Sequence, residues 1–412
     1  MNHNNKVPTV MMMMLCMRCT LGGGEKRYGR VFQMLIDQTA RPHKLLITRE
    51  LLDLLHKAGI LVGYDEHLII LDPPFRKSQY LSRNFLGRLL RPLLVVLDIL
   101  WYIWQIHRAV QRYKPDVVHP HLNAIYFSLP VLVLNPKVRH VMSANAEKFR
   151  PSKGHNPLGA EIAAWLKHYA MHRCDLIDAL SEARKAAVVE RGISPNKILV
   201  NPGSFTDYSL CQPATQKENW VVFLARLIEE KGPHLLVQAI PQVLAKEPDV
   251  HFYILGEGYF EPEVVKAIQD LGIVDNVTLR FETCPTKILN QSQIFTSLNL
   301  LNSYPNQALL EAMGCGNAVV ATDIGENYLL VDEKVGVRVP PEPDAIAKAI
   351  VDLLCSPNLS KMQKAARQRA ITEHTPERFF EYITTVYRRA TQGTPSPPPS
   401  PASSSAARGK AP

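Results

Sequence analysis

Short apolar runs alternate with longer stretches of helical periodicity over the first half of the chain. The runs predicted to be buried strands are residues 9–16, 68–71, 117–119, 138–142 and 176–179. Buried strands that alternate with helices are typical of a parallel, doubly wound sheet. The first half is therefore predicted to be a Rossmann-like α/β domain.

A second series of apolar runs follows in the second half of the chain. Its predicted strands are residues 220–224, 251–255, 277–281, 294–298 and 318–322. Pro, Gly and polar residues between the two series interrupt the pattern and predict a connector at 201–219. The predicted organisation is a domain at 1–200, the connector, a second domain at 220–375, a helix at 376–391 and a tail at 392–412.

The end of the chain contains two different patterns. Residues 376–389 carry Phe379, Phe380, Ile383, Val386 and Tyr387 at near-helical spacing, which predicts a helix with one apolar face. Residues 392–412 are rich in Pro, Ser and Ala and lack apolar side chains for a core. We expect that tail to be disordered.

Composition agrees with a globular protein of two domains. The chain has 412 residues, of which 46% are hydrophobic and 21% charged, and its net charge is +9. The positive charge favours anionic partners, and nucleic acid, phospholipid headgroups and nucleotide phosphates all satisfy it. Basic residues are not interleaved with aromatic residues on a recognised nucleic-acid-binding module, so no nucleic-acid partner is expected. Seven scattered cysteines do not resemble a disulfide framework.

The longest apolar stretch, residues 92–104, contains Asp98 and is shorter than the ~20 residues that cross a bilayer. The N-terminus lacks a signal-peptide cleavage site, and we expect a cytoplasmic protein. Basic residues flank the apolar stretch, namely Arg83, Arg88, Arg91, Arg108, Arg112 and Lys114. Together with Trp101, Tyr102 and Trp104 they fit a helix lying on the inner, anionic face of a membrane. A helix buried against the first sheet fits equally well.

Three segments carry candidate chemistry. Gly22, Gly23 and Gly24 follow the first strand and precede a helix, so they form either an anion-binding loop or a tight structural turn. Arg226 and Lys231 follow the first strand of the second domain, at the edge where open α/β sheets bind ligands. Residues 303–316 read as a helix start with Pro305 near its first position.

Taken together, these motifs resemble family 4 of the retaining glycosyltransferases, which have the GT-B fold. The resemblance rests on residues 21–25, 225–232, 256–258, 305–316 and 320–326. It implies two Rossmann-like domains facing a cleft, with the acceptor on the first domain and a UDP- or GDP-sugar on the second. It also implies that the C-terminal helix crosses back to the first domain.

The resemblance also implies roles for individual residues. Arg226 and Lys231 would contact the diphosphate, and Glu311 would bind the ribose. The other residues implied to line the donor site are Gly23, Gly24, Gly256, Asn306, Gln307 and Ala308. No permanently bound cofactor and no metal are expected, because the chain has no D-x-D pair of acids.

Two positions depart from the family pattern. The family has a glutamate eight positions before Glu311, where this chain has Ser303, preceded by Asn302. Either Asn302 or Ser303 would supply a neutral hydrogen bond to the donor sugar, or the choice of sugar and the rate are altered. The family's histidine is absent from the end of the 138–144 strand. Its role would pass to the run that contains His119 and His121, with His121 as the candidate, and a histidine with a purely structural role fits equally well.

The expected function is transfer of a sugar, with retained configuration, to a hydroxyl of a carbohydrate or lipid-linked acceptor. The missing glutamate leaves an alternative: a degenerate GT-B protein that binds a nucleotide-sugar or a partner without turnover.

Overall fold

The computed structural model describes residues 7–15, 21–74, 85–144, 157–201 and 203–392. Within these ranges the chain forms two compact units. Unit 1 contains the described residues up to Thr20, those of Phe32–Val200 and those from Ile383 onward. Unit 2 contains Leu21–Val31 and the described residues of Asn201–Tyr382. Two of the seven cysteines, Cys16 and Cys19, lie outside the described residues, as do the basic residue Arg83 and the predicted tail after Gln392.

Unit 1 is built on a parallel sheet of seven strands in the order β3-β2-β1-β4-β5-β6-β7. The strands are β1 (Val10–Leu15), β2 (Lys44–Thr48), β3 (Leu68–Leu71), β4 (Val117–Leu122), β5 (Arg139–Ala144), β6 (Leu176–Ala179) and β7 (Ile198–Val200). The helices are α1 (Gly23–Thr39), which begins in unit 2, α2 (Arg49–Lys57), α3 (Phe85–Tyr113), α4 (Ser128–Leu134), α5 (Pro157–Arg173) and α6 (Glu182–Val189).

The Met-rich strand β1 lies at the centre of this sheet and is buried along its whole length. Met11 and Met13 point to one face, since side chains alternate along a strand, and they join a core with Tyr102, Ile106 and Val110 of α3. Tyr102, Ile106 and Val110 are spaced four residues apart, as on one side of a helix. That side of α3 therefore packs on the sheet of unit 1.

Unit 2 is built on a parallel sheet of six strands in the order β10-β9-β8-β11-β12-β13. The strands are β8 (Glu218–Leu224), β9 (His251–Leu255), β10 (Val277–Arg280), β11 (Ser292–Ser297), β12 (Ala318–Thr322) and β13 (Gly336–Val339). The helices are α7 (Pro233–Leu244), α8 (Glu261–Asp270), α9 (Thr286–Leu289), α10 (Gln307–Gly314), α11 (Pro343–Leu354), α12 (Leu359–Glu373) and α13 (Pro376–Gln392), which ends in unit 1.

Alternation along β8 divides the apolar side chains of unit 2 between two cores. Val221 and Phe223 belong to one core, with residues of α7 and α11. Val222 belongs to the other, with residues of α10 and α12. Helices therefore cover both faces of the sheet, which confirms the predicted doubly wound class. The prediction omitted strands β2, β7 and β13.

The last helix, α13, contacts the first domain as the resemblance implied. From Ile383 it belongs to unit 1, where the Tyr387 hydroxyl is hydrogen-bonded to Nδ1 of His119 at 3.0 Å. Nε2 of His119 lies 2.9 Å from Oγ of Ser143, which donates to Asp178 at 3.2 Å. Burial lowers the pKa of His119 to about 3, so the ring is neutral at physiological pH and holds the helix by neutral hydrogen bonds.

Helix α3 extends beyond the apolar stretch predicted from the sequence. Among the described residues, its segment Leu93–Tyr113 has the length and composition of a membrane-crossing helix. Only a minority of the side chains of this segment are buried inside the protein. Tyr102, Ile106 and Val110 nevertheless pack into the core of unit 1, so α3 has one buried side and one exposed side.

Candidate functional site

The strand order of unit 2 reverses between β8 and β11. In open α/β sheets, ligands bind beside the carboxyl ends of the strands at such a reversal. The loop after β8 contains Arg226 and Lys231, and the loop after β11 contains Asn299, Asn302 and Ser303. Most of the residues predicted for the donor site lie on these two loops and on α10, which follows the second one.

Gly256 allows the ends of β8 and β9 to approach each other closely. Its φ is +152°, and a Cβ at this position would lie 1.9 Å from the carbonyl oxygen of Ala225. The amide of Ala225 donates to the carbonyl of Leu255 at 3.1 Å. No residue with a side chain fits here without displacing the backbone that leads to Arg226.

A second close approach positions Lys231. Gly232 has a φ of +69°, and a Cβ on it would lie 2.2 Å from the carbonyl oxygen of Leu298. The turn therefore lies directly against the end of β11. Nζ of Lys231 donates to Oδ1 of Asn299 at 3.0 Å and to Oγ of Ser303 at 2.6 Å.

The charge of Lys231 is held among neutral oxygens. Burial, and then the charge of Arg226, lower the pKa of Lys231 to about 8, while Glu230 opposes this shift. Arg226 itself is exposed. An anion placed beside these two cations would relieve their repulsion, so the loop is electrostatically prepared for one.

The start of α10 meets the glycine segment within unit 2. Asn306 caps the helix, since its Oδ1 accepts from the amide of Leu309 at 3.4 Å. A Cβ on Gly23 would lie 2.3 Å from Cγ of Gln307, so a side chain there would displace Gln307. Nε2 of Gln307 and a guanidinium nitrogen of Arg27 both donate to Oγ of Ser204, at 3.0 and 3.1 Å. Gly24 and Ala308 lie in the first turns of α1 and α10.

Glu311 lies about one turn further along α10 and is half-buried. Its Oε1 accepts from Oγ1 of Thr206 at 3.2 Å. Burial raises the pKa of this carboxyl, whereas the charges of Lys26 and Arg30 and the bond from Thr206 act against the rise. The carboxylate has capacity for further hydrogen-bond donors, such as vicinal hydroxyls.

Asn302 is held by the loop that follows β12. Its Nδ2 donates to Oε2 of Glu326 at 2.9 Å. Its Oδ1 accepts from the amide of Tyr304 at 3.1 Å and from the amide of Glu326 at 3.4 Å. Glu326 is buried.

His121 belongs to unit 1. It is fully buried near the end of β4, and its ring centroid lies 3.9 Å from that of His119. The ring of His119 is itself fixed by its hydrogen bonds with Tyr387 and Ser143.

The structure thus brings together two groups of the predicted residues: Lys231 with Ser303, and Gly23 with Gln307. Asn299, Ser204, Thr206 and Glu326 contact these residues or their neighbours and were given no role from the sequence. Asn299 follows an apolar run directly, and a polar residue at a strand's carboxyl end is a usable signal. Among the described residues, no group of three or more His, Cys, Asp or Glu side chains could hold a metal ion.

Two family models match the chain. "Glycosyltransferase Family 4" matches residues 48–203, and "Glycosyl transferases group 1" matches residues 218–356. A solved structure, HepE of Anabaena in complex with UDP-glucose, superposes with a TM-score of 0.68 at 16% identity, covering 92% of this chain and 98% of that one. The two parallel α/β sheets and the likeness to this structure show the GT-B fold. The chain belongs to glycosyltransferase family 4.

Curated relatives match shorter parts. A phosphatidylinositol N-acetylglucosaminyltransferase component of Arabidopsis thaliana is 27% identical over 176 residues, which are 41% of this chain and 39% of that protein. A Campylobacter jejuni N-acetylgalactosaminyltransferase, whose name specifies a saccharide on PP-undecaprenol, is 28% identical over 68% of this chain and 78% of its own length. The chain spans about half the length of several other relatives.

Gly256→Ala tests the close approach of β8 and β9, with Gly272→Ala as the matched control. Both glycines have positive φ, but a Cβ on Gly272 would meet nothing within 4 Å. The control should lose about 1–2 kcal/mol of unfolding free energy from backbone strain. Gly256→Ala should lose about 1–3 kcal/mol more from overpacking. Equal losses in urea denaturation would contradict the structure.

Proposed function

We propose that this protein transfers a sugar from a UDP-sugar, with retained configuration, to an acceptor hydroxyl. The observation that carries the proposal is the position of Lys231 and the start of α10 at the reversal point of the unit 2 sheet. Family membership, and a structural neighbour crystallised with UDP-glucose, support the nucleotide as the donor.

The residues of unit 2 supply what such a donor requires. Lys231 and Arg226 would neutralise the diphosphate as it leaves, because positive charge fixed in a partly buried site stabilises developing negative charge strongly. The amide groups at the start of α10 would add to this effect. The Glu311 carboxylate would accept hydrogen bonds from the two ribose hydroxyls.

For the acceptor, we propose a lipid-linked or polysaccharide precursor. The names of two relatives, which give phosphatidylinositol and a saccharide on PP-undecaprenol, support a lipid-linked one. His121 is proposed to act on the acceptor, because the family resemblance assigns the acceptor to the first domain and this residue belongs to unit 1. A nucleotide-sugar-binding protein without turnover remains the second candidate, and the neutral Ser303 favours it.

We further propose that unit 1 binds peripherally to an anionic membrane. Exposed apolar side chains lie on three successively packed helices, α3, α4 and α5. Those with exposures between 53% and 60% are Leu93, Leu100, Trp104, Val133 and Trp165. The guanidinium of Arg108 lies 5.4 Å from the Trp104 ring centroid and that of Arg173 lies 5.5 Å from the Tyr169 ring centroid. Basic residues beside interfacial aromatic rings fit anionic headgroups.

The activity is tested by UDP release with a panel of UDP-sugars and cell-extract acceptors. Lys231→Ala and Arg226→Ala should each lower turnover about a hundredfold while the protein stays folded, because the leaving diphosphate loses a cation. The exposed Lys334 provides the control Lys334→Ala, which should be neutral. Donor binding without UDP release by the unaltered protein would favour the second candidate.

UDP affinity should depend on pH through Lys231. The pKa of this group is lowered to about 8, so its charge is present below that pH and is lost as the pH rises through it. Affinity should fall about tenfold on the alkaline side, because a charge-assisted contact is lost. Lys231→Arg should remove the dependence. Burial lowers the pKa of Lys217 to about 8 as well. Lys217 is unchanged in Lys231→Arg, so a pH dependence that remained in this variant would be assigned to Lys217 and not to Lys231.

Membrane binding is tested by sedimentation with vesicles of phosphatidylcholine, with and without anionic phosphatidylglycerol. The protein should bind the anionic vesicles and dissociate at high salt, since surface charge is screened. Leu100→Asn together with Trp165→Ser should reduce binding at least tenfold. Phe281→Ser, at an exposed apolar residue of unit 2, should not. Equal binding by both variants would place the contact elsewhere.

A further inference from the structure

Glu326 is a buried carboxylate beside the segment that lacks the family's glutamate. It is 3% exposed and follows Gly325 on the loop after β12. The two hydrogen bonds between Glu326 and Asn302 tie this loop to the residue that precedes Ser303. An acid is therefore present at this part of the site, although it comes from another strand.

The backbone conformation of Gly325 allows the loop after β12 to lie close to residues 302–304. Gly325 has a φ of +60°, and a Cβ on it would lie 2.5 Å from Cβ of Asn302. Only glycine allows the loop to come this close. On its other side, Nδ2 of Asn327 donates to the carbonyl of Thr322 at 2.7 Å, which fixes the loop to the end of β12.

The negative charge of Glu326 reaches the 302–304 segment. Burial and then this charge raise the pKa of the Tyr304 hydroxyl to about 12, and Arg27 acts in the opposite direction. On the other side of the segment, Ser303 accepts from the Lys231 ammonium. The segment thus lies between a carboxylate and a cation, whereas the family pattern would place the carboxylate on the segment itself.

Asn302 is oriented by these contacts. Its carbonyl oxygen accepts from two backbone amides, and its amide group donates to Glu326. A change at Glu326 would therefore change the position of the 302–304 turn and the charge beside it. The diphosphate contacts proposed for Arg226 and for the start of α10 involve none of these bonds. Lys231 donates to Ser303 of the turn, but it also donates to Asn299, which lies outside the turn and keeps the ammonium in place.

We propose that Glu326 supplies, through Asn302, the carboxylate function that position 303 lacks, and that it determines which donor sugar the site accepts. It is a positioning residue for the sugar and not for the nucleoside diphosphate. This inference rests on the proposed function, because it assumes a UDP-sugar in the site of unit 2.

The test compares calorimetric affinities for UDP, UDP-glucose and UDP-N-acetylglucosamine. The proteins are the unaltered chain, Glu326→Gln, Ser303→Glu and the double variant. Gln keeps the size of the side chain and can still accept from Asn302, so Glu326→Gln should fold. Glu333→Gln makes the same chemical change at an exposed position further along the same loop and serves as the matched control.

Glu326→Gln should weaken binding of the preferred UDP-sugar about tenfold and leave UDP within about twofold, since one charged hydrogen-bonding group is lost from the sugar end. Ser303→Glu alone should also weaken it, because two carboxylates would then repel each other. The double variant, with one carboxylate again, should bind more tightly than either single variant. Glu333→Gln should change neither affinity.

Two results would overturn the inference. Equal weakening of UDP and UDP-sugar by Glu326→Gln would show that the residue only supports the fold. A double variant that loses as much as the two single losses combined would show that the two positions do not exchange roles. A failure of the unaltered protein to bind UDP and both UDP-sugars would be a different result, because it would contradict the proposed function itself.

Discussion

The candidate site depends on one contact, the approach of Gly232 to the backbone of Leu298 at the end of β11. A Cβ on Gly232 would lie 2.2 Å from the Leu298 carbonyl oxygen, so the turn after β8 cannot move away without losing its packing, nor accept a larger residue. Lys231 precedes this glycine and is thereby placed on Asn299 and Ser303. The same contact joins the two loops at the point where the strand order reverses. Without it, Lys231 would be an ordinary surface lysine.

The Gly232 contact also explains the electrostatics of the site. A lysine with neutral oxygen partners and an arginine nearby is destabilised in its charged form, and its pKa falls. An anion bound beside these two cations would favour the charged form of Lys231 and raise its pKa again. Strongly shifted pKa values of this kind are common where binding residues are held ready for a ligand.

The sequence was sufficient for the fold class but not for the partners of the site residues. Apolar runs located ten strands, because parallel strands covered by helices are continuously hydrophobic. Strand β2 was missed because a short apolar run such as Lys44–Thr48 is not distinguishable by period from part of a helix. Lys231 and Glu311 could be selected from the sequence because each lies at a fixed spacing within its own motif, at residues 225–232 and 305–316. The pairing of Asn302 with Glu326 did not, because it joins the loops after two different strands and depends on the φ of Gly325.

The position of the carboxylate can change while the chemistry of the site is kept. A sugar-binding site requires a charge and a set of hydrogen-bond acceptors at given points in space, and the strand that carries them is not specified. The loops after β11 and β12 are neighbours, because these strands pair in the sheet. An acid on the second loop can therefore act on the first through a single amide side chain. The exchange needs a glycine next to the acid so that the loops can touch, and Gly325 meets this requirement. A neutral residue at position 303 is then consistent with an active site, provided that Asn302 and Glu326 are considered together.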